Sequence, residues 1–102
     1  MRLDPEIVPR LVEQMRQVYG MDADVWLFGS RTDDNAKGGD IDLYVETADG
    51  LNPLDRLIES RSRLFKLFGE QKIDLLVRVR GREPSPMERI ARNTGIKLSD
   101  IS

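Results

Sequence analysis

Three aspartates stand in or at the edge of apolar runs. Asp40 and Asp42 bracket Ile41 in Asp40-Ile41-Asp42-Leu43-Tyr44-Val45, and Asp74 lies between Ile73 and Leu75 in a later run. An unpaired buried carboxylate is costly or is forced to protonate, so these positions call for a counter-charge. Upstream, Leu27-Phe28 leads into Gly29-Ser30, a turn whose backbone N–H groups and hydroxyl can bind phosphate oxygens. Arg31 and Lys37 follow in a polar segment, where each either neutralises a triphosphate or is a solvated loop charge. A phosphate-binding turn followed by three converging carboxylates is what metal-assisted phosphoryl or nucleotidyl transfer requires.

Strand alternation makes the convergence specific. Asp40 and Asp42 project to one side, about 6.6 Å apart at Cα, while Ile41 and Leu43 turn into the core. Asp74 joins them if its strand lies beside theirs. Two carboxylates about 5 Å apart repel by roughly 3 kcal/mol at an effective dielectric of about 20, so the cluster should bind magnesium or titrate abnormally. The competing reading of Asp40 and Asp42 is a pair of solvated strand-end aspartates, and Gly29-Ser30 and Asp74 together weigh against it. A calcium loop starting at Asp33 fits at Asn35 and Gly38 but fails at Lys37 and at Tyr44, where a bidentate Glu is needed.

The chain has 102 residues, 39% hydrophobic and 33% charged, with a net charge of -2. That length is one domain with one core, so a separate acceptor-binding platform would have to come from a partner. The charge gives no basis for direct polynucleotide binding. There is no cysteine and no histidine, which removes structural zinc, thiol nucleophiles and histidine triads and leaves carboxylates suited to magnesium. No apolar run is long enough for a membrane span, and Met1-Arg2-Leu3-Asp4-Pro5 lacks a secretory apolar stretch, so a cytoplasmic location is expected.

The elements that must position these residues are clearly punctuated, with proline near helix starts and glycine past their ends. A first helix is expected within residues 5–19, burying Val8, Leu11, Val12, Met15, Val18 and Tyr19, its regular part starting as late as Pro9. A second begins at Asn52-Pro53 and buries Leu54, Leu57, Ile58, Leu64, Phe65 and Phe68 before Gly69. A third opens with the capping box Ser85-Pro86-Met87-Glu88 and closes at Gly95. Strands are expected at Val25 to Phe28, Ile41 to Glu46 and Ile73 to Val79, with a short fourth at Ile96 to Leu98. Apolar runs at Val25-Trp26-Leu27-Phe28 and Leu75-Leu76-Val77 suggest strands covered on both faces. The fold class is therefore α/β (α+β), a mixed sheet of three to four strands packed with helices. Trp26 and the phenylalanines are assigned to the core. Arg78, Arg80 and Arg82 read as charges that keep an edge strand soluble.

These residues resemble a known family. Gly29-Ser30, the spacing to Asp40-Ile41-Asp42-Leu43, and Asp74 within Lys72-Ile73-Asp74-Leu75-Leu76 are similar to the polymerase-β-like nucleotidyltransferases. The chain's size and its ending, Met87-Glu88-Arg89-Ile90-Ala91-Arg92 through Gly95-Ile96-Lys97-Leu98, look like the minimal nucleotidyltransferases within that superfamily. The resemblance implies that Asp40, Asp42 and Asp74 hold two Mg2+ ions and that Asp74 helps deprotonate the acceptor. It also implies that Gly29 and Ser30 grip the β and γ phosphates of ATP. Thr32-Asp33-Asp34 departs from the small, basic and glycine residues common after Gly-Ser-Arg in that family. Minimal nucleotidyltransferases are typically antitoxins paired with a helical HEPN RNase toxin from the adjacent gene, on which they adenylylate a tyrosine. The resemblance thus implies an adenylyltransferase antitoxin in a hetero-oligomer, against the alternatives of occlusion without turnover or a small-molecule acceptor.

Overall fold

The computed structural model describes residues 3–29, 40–48 and 52–101. In chain order the elements are α1 (Ile7–Tyr19), β1 (Asp24–Phe28), β2 (Ile41–Thr47), a 3₁₀ turn (Pro53–Arg56) running into α2 (Leu57–Phe68), β3 (Ile73–Val79), α3 (Pro86–Thr94), β4 (Ile96–Lys97) and a closing 3₁₀ turn (Leu98–Asp100). Helix α1 starts at Ile7, ahead of Pro9, because first-turn N–H groups lack helical acceptors and proline there sacrifices no bond. All six apolar residues expected on its inner face are buried.

The four strands form one mixed sheet in the order β3-β2-β1-β4. Strand β1 runs antiparallel to β2 and β4, whereas β2 and β3 are parallel, joined through α2. Helices α1 and α2 cover one face, where Leu11, Met15, Leu27, Ile41, Leu43 and Leu64 form the main core. On the opposite face a smaller cluster of Trp26, Phe28, Tyr44 and Ala91 packs beneath α3. Each fully buried aliphatic side chain contributes about 1.5–3 kcal/mol, and Ile41, Leu43 and Val45 hold β2 at the centre. The strand carrying the Asp-x-Asp pattern is therefore the best anchored one. Among the described residues, no helix is long and apolar enough to cross a membrane.

Two expectations need correction. Residues Leu75, Leu76 and Val77 of β3 are only half-buried, because β3 lies at the sheet's edge and lacks a second neighbouring strand. Along the 3₁₀ turn and α2, Leu64 is buried and Leu57 and Phe68 are half-buried, but Leu54, Ile58 and Phe65 are exposed. The buried stripe of α2 runs through Ser60 and Leu64 instead. The Tyr19 hydroxyl donates to Ser60 Oγ at 3.1 Å, which fixes the rotation of α2 against α1 and turns the second apolar row outward. Phe65 is thus not a core residue.

The expected capping box of α3 is formed. Ser85 Oγ accepts from the Glu88 N–H at 3.2 Å, and Glu88 Oε1 accepts from the Ser85 N–H at 2.8 Å. Arg82 adds two bonds to the Glu88 carboxylate, at 3.2 and 2.9 Å. Burial works against ionising Glu88, but Arg82 and the Ser85 N–H outweigh it and hold the carboxyl below its ordinary range. Ser85→Ala should cost about 1 kcal/mol. In a melt followed by circular dichroism this corresponds to a fall of about 4–8 °C. Where α3 ends, a Cβ on Gly95 would lie 2.4 Å from the Ala91 carbonyl oxygen and 2.8 Å from that of Leu27, so the helix seats on β1 only through a glycine.

Candidate active site

The parallel register of β2 and β3 sets Asp42 directly beside Asp74, as it sets Ile41 beside Ile73 and Leu43 beside Leu75. Partners on adjacent strands sit about 4.8 Å apart, so the two carboxyl groups meet without any loop adjustment. By alternation they project from the face that carries Trp26, Phe28 and Tyr44, at the end of that face from which β2 and β3 start. Strand β1 adds the third wall, since Phe28 is the register partner of Asp42 and Gly29 follows it.

Gly29 has φ 75°, the left-handed region that suits glycine. A Cβ built there would fall 2.2 Å from Asp42 Oδ2. The turn backbone therefore lies directly against the Asp42 carboxyl, and a side chain of any size would displace one or the other.

Burial raises the pKa of Asp42, and so do the charge of Asp74, a hydrogen bond between the two carboxyl groups, and the charge of Asp40. Lys72 pulls in the opposite direction but does not compensate. The pair offers two hard oxygen donors side by side, with the charge on Asp42 opposed by its surroundings, which suits a divalent cation such as magnesium. Asp40 precedes β2, and its Oδ2 lies 3.4 Å from Lys72 Nζ. Among the described residues, no three acidic side chains are gathered closely enough to enclose a metal ion. The expected convergence is thus direct for Asp42 and Asp74, whereas Asp40 is turned to a lysine.

Ser30, Arg31 and Lys37, the other expected phosphate contacts, lie outside the described residues, as does most of the polar segment between β1 and β2.

At the other end of the same face, the buried Glu46 accepts a hydrogen bond from the Tyr44 hydroxyl at 2.7 Å and one from Arg78 at 3.2 Å, with Arg92 at 3.5 Å. Burial and the adjoining Glu46 raise the pKa of the Tyr44 phenol, so it stays neutral. Arg80 is paired with Asp24 at 3.0 Å, and Arg82 with Glu88. The strand that carries Arg78 is an edge strand, as expected, and the three arginines also serve as ion-pair partners of Glu46, Asp24 and Glu88. The role of Glu46 was open to discovery in the sequence, because it continues the Asp40, Asp42, Tyr44 alternation onto the face where Arg78 follows Asp74 by four residues.

A family model described as nucleotidyltransferase domain matches residues 8–99. No curated protein matches the chain. The mixed sheet and three helices agree with that fold, and the span of the match runs from α1 through the closing turn. With the acidic pair and the glycine turn lying inside a match that covers most of its length, the chain belongs to the nucleotidyltransferase domain family.

Proposed function

We propose that this protein is a Mg2+-dependent adenylyltransferase that transfers AMP from ATP to a hydroxyl, most simply a tyrosine, on a helical HEPN-type RNase toxin that it neutralises. Nucleotidyltransferase domains generally use a nucleoside triphosphate and a divalent metal, and this reading specifies nucleotide, metal and acceptor. The observation that carries it is the Asp42–Asp74 dyad, two carboxyl groups in register on adjacent strands with the Gly29 backbone against one of them.

In this reading Asp42 and Asp74, with Asp40 once it leaves Lys72, would hold the metal. Bound there, the metal would supply Lewis-acid stabilisation of the triphosphate's charge. Gly29 and Ser30 would place the β and γ phosphates, and Arg31 and Lys37 would offset their charge. Asp74, exposed at the edge strand, would accept the hydroxyl proton as the acceptor oxygen bonds to the α phosphorus. The bond from that phosphorus to the β-phosphate bridging oxygen would break, and pyrophosphate would leave. The protein's contribution is placement of the reacting groups in line.

A partner supplying the acceptor is consistent with the exposed apolar side chains Leu54, Ile58 and Phe65. The test is incubation with α-labelled ATP, Mg2+ and the product of the neighbouring gene. Label should enter that product with wild-type protein and not with Asp42→Asn. Inhibition of the toxin that persists in Asp42→Asn without label would instead identify neutralisation by occlusion.

A further inference from the structure

We propose that Lys72 is a tethered counter-cation, which occupies Asp40 in the metal-free protein and must release it for a divalent cation to bind, so that Lys72 sets the metal affinity of the site. This inference rests on the metal-binding reading of Asp40, Asp42 and Asp74 given above.

The placement of Lys72 follows from the sheet register. The Ile41 N–H donates to the Lys72 carbonyl oxygen at 3.1 Å, immediately before the Ile41–Ile73 register pair. That bond brings Lys72 beside Asp40, just as the register brings Asp74 beside Asp42. From there Lys72 Nζ reaches Asp40 Oδ2 at 3.4 Å and is also attracted by Asp74 and Asp42. Among the described residues, no other cation is paired with any of the three carboxylates. Its side chain is 70% exposed and that of Asp40 44%, so the contact opens without disturbing the core. An exposed ion pair of this kind is weak and screened by salt. Lys72 can therefore lower the cluster's repulsion when the site is empty and yield to an ion of higher charge.

A lysine ammonium about 6 Å from a divalent ion opposes it by a factor of about ten in water, reduced to about three by salt. Titration calorimetry with MnCl2 alone, on the full chain, reads this effect. Lys72→Met should bind Mn2+ about three- to tenfold more tightly than wild type, and Lys72→Arg should stay within about twofold of it. The metal-free Lys72→Met protein should also melt below wild type, and saturating Mn2+ should remove that difference. If wild type binds Mn2+, Asp42→Asn does not, and Lys72→Met binds no more tightly than wild type, the metal reading stands and the role of Lys72 is overturned. If wild type and both Lys72 variants all fail to bind Mn2+, the metal reading itself falls and this inference with it.

Discussion

Asp42→Asn should raise the melting temperature of the metal-free protein by at least about 4 °C while reducing nucleotidyl transfer by roughly three orders of magnitude. Both effects have one cause. Burial, the Asp74 charge and hydrogen bond, and the Asp40 charge all favour the neutral form of Asp42. The folded protein therefore binds this proton more tightly than the unfolded chain does. The contribution to stability is full below the ordinary carboxylate value of 3.8 and is lost as pH rises through the higher folded-state value. At neutral pH ionised Asp42 is a net liability without a metal, and the isosteric amide removes it. Relief of one carboxylate repulsion at this spacing is on the order of 1–3 kcal/mol at an effective dielectric between about 20 and 60. Melts of wild type and variant from neutral pH downward check the sign, since the advantage of the amide should shrink toward pH 3.8. Unchanged stability at neutral pH would mean that the carboxylates are not coupled. In the proposed reaction the activity loss would follow because the amide would remove a charged ligand of the metal, worth several kcal/mol of transition-state stabilisation.

Gly29→Ala should act on the same carboxylate from the other side. At φ 75° an alanine is strained by roughly 1–2 kcal/mol. Its Cβ would also lie 2.2 Å from Asp42 Oδ2 and 3.1 Å from Asp42 Cγ, so the carboxyl group must swing away. Misplacing a catalytic group by about 1 Å costs on the order of 10²-fold in rate. The expected result is a melting temperature lowered by at least about 4 °C and a turnover number reduced about 100-fold. The contrast with Asp42→Asn is diagnostic, since both variants lose activity while their stabilities move in opposite directions. Gly29→Ala with wild-type turnover would show that the turn does not position Asp42 for the reaction.

Local features were readable in the chain, because local chemistry decides them. The capping box at Ser85 and Glu88, the glycine stops of α1 and α3, and the alternation that puts Asp42 opposite Leu43 depend on near neighbours in sequence. The rotation of α2 was not readable. Its apolar residues span more than one stripe, and the choice between them is made by Ser60 against Tyr19, 41 residues away. The half-buried state of β3 likewise depends on its place at the sheet's edge, where its arginines and its apolar run pointed to opposite answers and the strand order decides between them. Within the site, Asp42 and Asp74 could be paired from pattern alone once their strands were taken as neighbours. The lysine on Asp40 could not, because it required knowing that the strands are parallel and in which register. The ion pairs of Arg78 and Arg80 were hidden for the same reason, as their acidic partners Glu46 and Asp24 belong to other strands.

The direct measurement is an anomalous difference map from crystals of the full chain grown with Mn2+ and a non-hydrolysable ATP analogue. Nucleotidyl transfer at the Asp42–Asp74 dyad predicts a manganese peak beside those two carboxyl groups, with the triphosphate over the Gly29 turn and Asp40 parted from Lys72. A nucleotide bound with manganese away from Asp42 and Asp74, or an ordered dyad with no manganese beside it at saturating metal, would contradict that assignment.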